Sequence, residues 1–567
     1  MSEEKRACQN CKVSFGIDAQ DFQFYEKMQV PPPTFCPACR FQRRAMFRNE
    51  RTLYKRNCDL CGKGIVTVFA PEKPLKVYCS PCWWSDKWDD GGFYLDYDPK
   101  KNIFEQMREL QKMTPNMALI TDYSTLVNSD YVNHAGSLKN CYLIFNADFD
   151  ENCHYSTFVV RVKDSMDCQM VVNSELLYQS INVIGYNCAF CHTADHCQGV
   201  LFSRYVIGCN NCFGCVNLRN KNYHIFNQPY SKEEYQRKLK EFRLDTWSGL
   251  ERARKMADEF WMSHPYRFVE SSLQNINSTG DYVFNAKNAL DCYQVNEVED
   301  VRYCQFITMG PAKDLYDLSE WGNGVERVVD SITVGEGVSN VKYCAGAWQN
   351  NTMNVEYGIV NMSCRNTFAC INAKKKEYCI LNKQYAPEEY AKLRDEIIKS
   401  MNERPYIDAK GRIWKYGDFL PYDLSPFSYN ETHAAQYWPL TKEQIEERGW
   451  RWREPTPGKY TITMPADKMP DNIHDVKDSI LDDILGCGAC GKAFRIIRAE
   501  LDLLRHWEFP IPRLCPDCRH MERMARINPP RLWDRKCAKC GIDIKTSYAP
   551  ECPEVVYCGS CYSNEIA

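Results

Sequence analysis

Residues 140–174 of the chain read NCYLIFNADFDENCHYSTFVVRVKDSMDCQMVVNS. In this stretch, short β-type runs are separated by polar residues, and Asn or Asp stands directly before Cys141, Cys153 and Cys168. Comparable runs continue toward residue 226, at spacings of about 9 to 15 residues. Short, evenly spaced strands with polar corner residues are typical of a solenoid, a propeller or a barrel.

Of these folds, a parallel β-helix fits the stretch best. Cys, Val and Ile would stack inward, while Asn and Asp would occupy the corners. With two strands per turn, each coil would contain about 20 residues. The predicted fold class is therefore mainly β, with a duplicated right-handed β-solenoid core and short helices. A β-sandwich remains an alternative, since alternation alone does not fix the topology.

The central region of the sequence occurs twice. Asp130-Tyr131-Val132 recurs as Asp281-Tyr282-Val283, and Cys209 recurs as Cys364. A helix-like segment follows each copy and starts with two glutamates in its first turn, where acidic residues favour a helix. We therefore expect two related β-solenoid halves, each followed by a helix.

Both ends of the chain carry four CxxC pairs. Cys8 recurs as Cys487, and the other seven cysteines of the first set follow at the same offset with no gap. The first and second pairs are separated by 24 residues, and the third and fourth by 17. The predicted metal ligands are Cys8, Cys11, Cys36, Cys39, Cys58, Cys61, Cys79, Cys82, Cys487, Cys490, Cys515, Cys518, Cys537, Cys540, Cys558 and Cys561.

Zinc is the metal that this pattern favours. Zinc prefers four ligands in a tetrahedron, and two CxxC pairs supply four thiolates. We expect four zinc ions per chain, each with a structural role, because a site of four thiolates has no open position for a substrate. Sequential pairing of the CxxC pairs is favoured over a cross-braced arrangement, since each half of a module looks like a self-contained ribbon.

The segment CQNCKVSFGIDAQDFQFYEKMQVPPPTFCPACR, residues 8–40, resembles a zinc-ribbon family of bacterial proteins. In that family a CxxC pair precedes a Phe-Tyr-x-x-Lys segment, then proline, then CxxC-Arg. The C-terminal copy keeps the cysteines and Arg519 but has Leu503-Leu504 in place of Phe-Tyr. The layout of the whole chain also resembles Cys-rich proteins of uncultivated bacteria, and neither resemblance implies an activity. The matching positions are Phe24, Tyr25, Lys27 (one residue nearer than in the family), Pro31, Pro32, Pro33 and Arg40.

A basic segment with interspersed aromatic residues follows the second CxxC pair at each end. Guanidinium groups pair with phosphates, and aromatic rings stack on unpaired bases, so these segments are candidate nucleic-acid contacts. The alternative is a solvated helix face whose arginine stems cover apolar surface. The predicted contacts are Arg40, Arg43, Arg44, Arg48, Arg51, Lys55, Arg56, Arg519, Arg523, Arg526, Arg531, Arg535 and Lys536.

Two further sites are considered in the central region. The cysteines from Cys188 to Cys215 would allow a fifth metal, but a ladder of buried thiols explains them more simply. Asp148, Asp150 and Glu151 would line a groove in a carbohydrate-active β-helix, although corner positions are their more common role. No nucleotide-binding or serine-hydrolase motif is present.

Composition limits the remaining classes. The chain has 567 residues, 32 cysteines and a formal net charge of −3 at pH 7, so a nucleic-acid surface would have to be a local patch. No run of about 18 apolar residues and no secretory signal is seen, so we expect no membrane span. With no secretory signal, we expect a cytoplasmic protein whose CxxC thiols stay reduced and bind metal.

The predicted organisation has eight parts. The terminal parts are metal modules, and the connector before the last one is rich in proline and aromatic residues. The parts are a double zinc ribbon at 1–90, a helical connector at 91–124, solenoid halves at 125–230 and 271–385, a helical segment at 231–270, a helix at 386–402, an extended connector at 403–480, and a double zinc ribbon at 481–567.

The leading functional hypothesis is a non-enzymatic, zinc-dependent binding scaffold that contacts nucleic acid, RNA rather than DNA, through its ribbon ends. A protein–protein or self-assembling scaffold with the ribbons as structural caps is the second hypothesis. A carbohydrate-active β-helix is the third.

Overall fold

The computed structural model describes residues 3–272, 274–456, 458 and 460–566. Within these residues the fold is mainly β, as predicted, and two large sheets of ten and twelve strands dominate it. Nearly all neighbouring strands in both sheets run parallel, and each sheet ends in a short antiparallel hairpin. These two sheets form the centre on which the metal modules and the connector pack.

The first sheet covers the first central repeat. Its strands are Asn133–Gly136, Phe145–Asp148, Thr157–Lys163, Gln169–Tyr178, Ile181–Ala189, His192–Gln198, Arg204–Ile207, Asn210–Phe213, Asn222–Ile225 and Gln228–Pro229. The second sheet covers the second repeat. Its strands are Gly280–Leu290, Cys292–Arg302, Gln305–Ile307, Ala312–Trp321, Val325–Gly335, Ser339–Lys342, Ala345–Trp348, Met353–Glu356, Ile359–Met362, Arg365–Phe368, Glu377–Ile380 and Lys383–Gln384.

Strand partners lie closer in sequence than the expected 20 residues. In the first sheet Phe145 pairs with Thr157, twelve positions further on. In the second sheet the separation rises from twelve to fourteen, as between Val298 and Ala312. Each repeat therefore needs fewer residues than two strands of ordinary length would take.

The short repeat follows from a backbone pattern with a period of three. From Ser137 to Gln179, every third residue has a positive φ near 50°. The residue after each of them, from Leu138 to Ser180, is buried. The chain thus changes direction every three residues and directs one side chain inward after each change.

This pattern explains the Asn–Cys and Asp–Cys pairs of the sequence. Asn and Asp tolerate positive φ better than most residues because their short side chains bond locally. Asn140, Asn152 and Asp167 occupy such corners, and the cysteine after each is buried. Asn140 also donates from Nδ2 to Asn152 Oδ1 at 3.0 Å, so the corners form a hydrogen-bonded ladder.

The interior of the first sheet region is lined by small side chains. Cys, Val, Ala and Ser fill most of the inward positions, because three residues per side leave little room inside. Ser156 satisfies its hydroxyl within this interior: it donates to His154 O at 2.9 Å and accepts from Cys168 N at 3.0 Å. The cysteines act here as small apolar residues.

The helices lie at the ends and between the sheets. Ser231 caps the helix that follows the first sheet and forms a capping box with Glu234. The helices are Ala19–Met28, Pro37–Ala45, Ser80–Trp83, Ile103–Met113, Lys232–Glu241, Trp247–Met262, Pro387–Glu403, His433–Tyr437, Lys442–Glu447, Arg498–Trp507, Pro516–Ala525 and Gly559–Glu565.

The two terminal regions repeat the same elements in the same order. Each contains hairpins that hold CxxC pairs in their turns, and helices that begin at the second and fourth pairs. The hairpin strands are Glu4–Ala7 with Ser14–Ile17, Tyr54–Asn57 with Gly64–Thr67, Leu485–Gly486 with Ala493–Phe494, and Trp533–Lys536 with Asp543–Thr546. Shorter pairs are Val77–Tyr78 with Asn116–Met117, Leu126–Val127 with Leu138–Lys139, Tyr266–Arg267 with Val556–Tyr557, and Tyr406–Ile407 with Ile413–Trp414.

The segment 403–480 contributes to the core despite its many prolines. Trp414, Phe419, Tyr422 and Tyr429 are buried in the largest hydrophobic cluster, together with residues of the N-terminal module and the second sheet. Tyr429 stacks on Trp450 with ring centroids 5.1 Å apart. The segment therefore joins the N-terminal module to the second sheet. Among the described residues, no helix combines the length and apolar character that crossing a bilayer requires.

The packing predicts how the central cysteines react. Cys153, Cys168 and Cys209 are buried, and burial raises the pKa of Cys168 to about 12, so the reactive thiolate is scarce. Iodoacetamide should modify these thiols only when the protein unfolds. Cys552, which is half-exposed and outside the CxxC pairs, is the control that should react in the folded protein. Peptide mass spectrometry after timed alkylation measures this, and early modification of Cys168 would contradict the buried position.

Candidate metal centres

Sixteen cysteines form four groups in the structure, two at each end of the chain. In every group the four sulfur atoms lie within 4.8 Å of one another. The first CxxC pair joins the second, and the third joins the fourth, so the arrangement is sequential and not cross-braced. The groups are Cys8, Cys11, Cys36 and Cys39; Cys58, Cys61, Cys79 and Cys82; Cys487, Cys490, Cys515 and Cys518; and Cys537, Cys540, Cys558 and Cys561.

The spacing of the sulfur atoms fits a tetrahedral metal ion. A metal–sulfur bond of about 2.3 Å implies sulfur atoms about 3.8 Å apart on the edges of a regular tetrahedron. The nearest sulfur contacts between the two pairs measure 3.7 Å for Cys11 and Cys36, and 3.8 Å for both Cys490–Cys515 and Cys540–Cys558. In the remaining group Cys61 Sγ and Cys79 Sγ are 3.9 Å apart, so the geometry of all four groups is compatible with a bound metal ion.

Backbone amides stabilise the thiolate form of the first cysteine in each group. The N–H of Cys79 donates to Cys58 Sγ at 3.3 Å, and the N–H of Cys558 donates to Cys537 Sγ at 3.2 Å. Cys8 and Cys487 accept in the same way from the cysteines that begin their second pairs. Although burial raises the pKa of Cys58, these backbone hydrogen bonds lower it to about 7. A lowered pKa favours the deprotonated sulfur that binds a metal.

One cysteine in each group is exposed to solvent. It is the second cysteine of the first pair: Cys11, Cys61, Cys490 or Cys540. The other three sulfurs of each group are buried or half-buried. Four thiolates complete the tetrahedron, so the groups suit an ion that holds the chain together and not one that binds a substrate.

The predicted nucleic-acid contacts of the N-terminal module lie inside the protein. Arg40, Arg43, Arg44 and Arg48 are each at most 4% exposed, because the helix Pro37–Ala45 packs on the second sheet. The prediction that these four arginines form a surface is wrong. The charges of Arg40, Arg43 and Arg44 are compensated by aspartates that follow them by more than 270 residues, so the sequence around these three arginines gave no sign of burial. Arg48 pairs with Glu50, which is close to it in sequence.

Two aspartates receive Arg40, Arg43 and Arg44. Arg44 Nη1 contacts Asp317 Oδ1 at 3.2 Å and Asp330 Oδ1 at 2.8 Å. Arg43 Nη2 donates to the other oxygen of Asp330 at 2.7 Å, and Arg40 Nε lies 2.9 Å from Asp317 Oδ2. The first metal module is thus fixed to the second sheet by buried ion pairs.

The C-terminal module repeats this contact on the other sheet. Arg519 and Arg523 are also buried, and both contact Asp167 in the first sheet region. Arg523 Nη1 donates to Asp167 Oδ1 at 2.7 Å, and Arg519 Nε lies 3.2 Å from Oδ2. Arg519 also donates to Glu500 Oε1 at 2.7 Å. Each arginine helix therefore docks on the sheet that is more distant in sequence.

The other predicted contacts are divided between partners and solvent. Arg526 pairs with Asp258 at the surface, and Arg56 pairs with Asp59. Arg535 donates to two backbone carbonyls, and the guanidinium of Arg51 lies 4.8 Å from the Phe145 ring centroid. Lys536 pairs with Asp543 at 2.8 Å, and Lys55 and Arg531 are exposed, so few of the predicted cations remain available for a phosphate.

The central candidates do not converge on a site. The cysteines from Cys188 to Cys215 are buried one by one along the interior, and the metal groups found among the described residues do not include them. Asp150 points inward and accepts from Val162 N at 2.7 Å, whereas Glu151 pairs with Lys139 at the surface. Burial raises the pKa of Asp148 to about 7.

Sequence reasoning missed the carboxylates that receive the arginines. Asp167, Asp317 and Asp330 all have positive φ, so they occupy the corners of the three-residue pattern. A count of acidic residues at every third position would have marked them as corners. Such a count would not have identified these aspartates as partners of the arginines, because exposed corners also carry acidic residues.

No protein-family model matches this chain, and no curated protein matches it either. The four cysteine groups are compatible with zinc-ribbon-like modules on geometry alone.

The buried ion pairs predict a strong effect on stability. Asp167→Asn removes the negative charge that Arg519 and Arg523 share, and uncompensated buried charges cost about 3–5 kcal/mol. The urea midpoint of unfolding, followed by tryptophan fluorescence, should fall accordingly. Asp258→Asn, which breaks the exposed pair with Arg526, is the matched control and should cost less than about 1 kcal/mol. Equal effects of the two variants would contradict the docking role of Asp167.

Proposed function

We propose that the chain is a non-enzymatic, zinc-dependent scaffold that binds other protein chains, with its two metal modules acting as structural caps. The observation that carries this proposal is the direction of the arginines beside the metal groups. Arg44 and Arg523 point into the molecule and bind aspartates of the sheets. A module whose basic side chains are used in this way supports the fold and offers little charge to an outside ligand.

Zinc is the ion proposed for all four cysteine groups. Tetrahedral sites with four sulfur ligands typically hold zinc or an iron–sulfur centre. One zinc ion per group is favoured over an iron–sulfur centre by three features. These are the CxxC spacing, the amide hydrogen bonds to sulfur, and the size of each group, which suits a single ion. A cytoplasmic location, where thiols stay reduced, belongs to the same proposal.

The finer fold proposed for the centre is a pair of right-handed β-solenoid halves. The regular twelve-residue offset between strand partners supports this winding, and so does the inward residue after every corner. The right hand is the one that connections between parallel strands nearly always take. Related sequences in the two halves support a duplication.

The outer side of the first sheet offers a surface for a partner. Val160 pairs in register with Val172, and Ile184 and Ile207 both pair with Asp195 from opposite sides. These apolar side chains point outward, and Val172 and Ile207 are 37% and 42% exposed. The two exposed residues flank Ile184 and Asp195 in this row, and a group of exposed apolar residues is typical of a protein-binding surface.

Nucleic acid, RNA rather than DNA, is the second candidate ligand. It keeps one supporting observation: the guanidinium of exposed Arg531 lies 5.0 Å from the Trp533 ring centroid, and Lys536 is exposed nearby in sequence. The exposed predicted cations are Lys55, Arg526, Arg531 and Lys536. Two of them already pair with aspartates, so binding of a nucleic acid would release few counterions. Protein partners are therefore proposed first.

Metal analysis tests the zinc part of the proposal. The purified chain should contain four sulfur-coordinated zinc ions, and Cys36→Ser should lose one of them, because each group binds its ion separately. Elemental analysis with X-ray absorption at the zinc edge measures both quantities. Cys168→Ser, which changes a buried cysteine outside the groups, should keep all four. Two or fewer sulfur-coordinated ions in reduced, unchelated wild-type protein would refute the proposal.

Photo-crosslinking tests the binding surface. A photoreactive residue in place of Val172 should give a defined adduct with a protein chain, either a second copy or another protein. The same residue at Ile276, which is 60% exposed but belongs to the second sheet region, is the control and should give none. Ile207→Glu should weaken the Val172 adduct about tenfold, since burying an unpaired charge costs more than 1.4 kcal/mol.

Two results would overturn the scaffold proposal. One is equal cross-linking from Val172 and Ile276, which would mean that the row of apolar residues is not a specific surface. The other is salt-dependent binding of RNA that is lost on Arg531→Glu and Lys536→Glu, with no protein adduct at Val172. That result would establish the nucleic-acid function instead.

A further inference from the structure

Three ionisable side chains from distant parts of the chain meet at a buried point. Glu50 follows the first arginine helix, Glu320 lies on the strand Ala312–Trp321, and His433 begins the helix His433–Tyr437 of the connector. Each is at most 4% exposed. One ligand atom from each of the three lies within 4.8 Å of the others, so the three side chains form a compact group without cysteine.

Arg48 orients both carboxylates of this group. Its Nε donates to Glu50 Oε1 at 2.7 Å, and its Nη2 lies 3.5 Å from Glu320 Oε2. Asn146 Nδ2 also donates to Glu50 Oε1 at 2.7 Å. One oxygen of each glutamate is therefore held by a neighbour, and the other oxygen faces His433. Carboxylates that bind metals are commonly held in this way.

The atoms that face one another have no hydrogen bond. Glu50 Oε2 lies 3.1 Å from His433 Nδ1, and Glu320 Oε1 lies 3.2 Å from His433 Nε2. Neither contact has the direction of a hydrogen bond, and all four atoms are buried without a hydrogen-bond partner among the described residues. Two ligands at about 2.0–2.1 Å from one tetrahedral ion are about 3.3 Å apart. The 3.1 Å separation of Glu50 Oε2 from His433 Nδ1 is close to this value.

We propose that Glu50, Glu320 and His433 bind a divalent first-row transition-metal cation at this point. Imidazole and carboxylate ligands suit zinc and manganese, and they differ in chemistry from the four thiolate groups. Only one ring nitrogen of His433 binds the ion, together with one oxygen of each glutamate. Such an ion joins the N-terminal module, the second sheet and the connector.

The rival occupant is a proton on His433. Burial opposes the imidazolium, but Glu50 and Glu320 raise the pKa of His433 above its ordinary value. A protonated ring would balance the charges of Arg48 and the two glutamates, whereas a dication leaves one positive charge in excess. An imidazolium held by two carboxylates donates along both N–H bonds, and neither contact has that direction. The geometry therefore favours the cation.

Zinc content and coordination distinguish these occupants. Protein produced with added zinc and freed of loosely bound metal should contain five zinc ions per chain. X-ray absorption should show four ions with sulfur alone and one with nitrogen and oxygen alone. Four ions, all with sulfur, would overturn the fifth site and leave the zinc ribbons of the proposed function unaffected.

Substitutions assign the fifth ion to these residues. His433→Gln and Glu320→Gln preserve side-chain size and should each lose one ion, together with the nitrogen and oxygen signal, while the sulfur signal stays unchanged. His154→Gln, which changes a buried histidine of the first sheet region, is the control and should keep five ions. A fifth ion that persists in both variants, or is lost equally in the control, would overturn the assignment.

Discussion

Buried ion pairs between arginines and aspartates connect the metal modules to the sheets. Each arginine helix starts at a CxxC pair, so the metal group fixes where its first guanidinium lies. Arg40 and Arg519 are the residues directly after these pairs, and both are buried against an aspartate of a sheet. The metal group and the docking contact are therefore parts of one structure, and separation of a module from its sheet would break these buried ion pairs.

The aspartates at these contacts depend in turn on the three-residue backbone pattern. Asp167 and Asp317 occupy corners with positive φ, where the side chain points away from the interior. A corner repeats at every third residue, so the sheets offer many positions where a carboxylate could stand. The metal modules form ion pairs with carboxylates at only a few of these corners. Each terminal module docks on the sheet that is more distant in sequence. The N-terminal and C-terminal halves of the chain therefore depend on each other for their packing.

This dependence supports a structural role for the metal ions. Metal binding to four thiolates would contribute folding energy directly, and here that energy would also position the arginines. The group of Glu50, Glu320 and His433 lies where the N-terminal module, the second sheet and the connector meet. An ion at this point would add a further link between the same parts.

The sequence by itself determined the candidate metal ligands and the mainly β class. CxxC spacing is local, and two intervening residues bring both sulfurs to one ion wherever the chain goes. The Asn and Asp residues before Cys also mark the corners in the sequence. The period of three itself is hard to recognise, because small inward residues at that period resemble the alternation of ordinary strands. The direction of Arg40, Arg44, Arg519 and Arg523 was decided only by the tertiary structure. Whether an arginine faces solvent or a carboxylate depends on residues hundreds of positions away, and only folding brings those together.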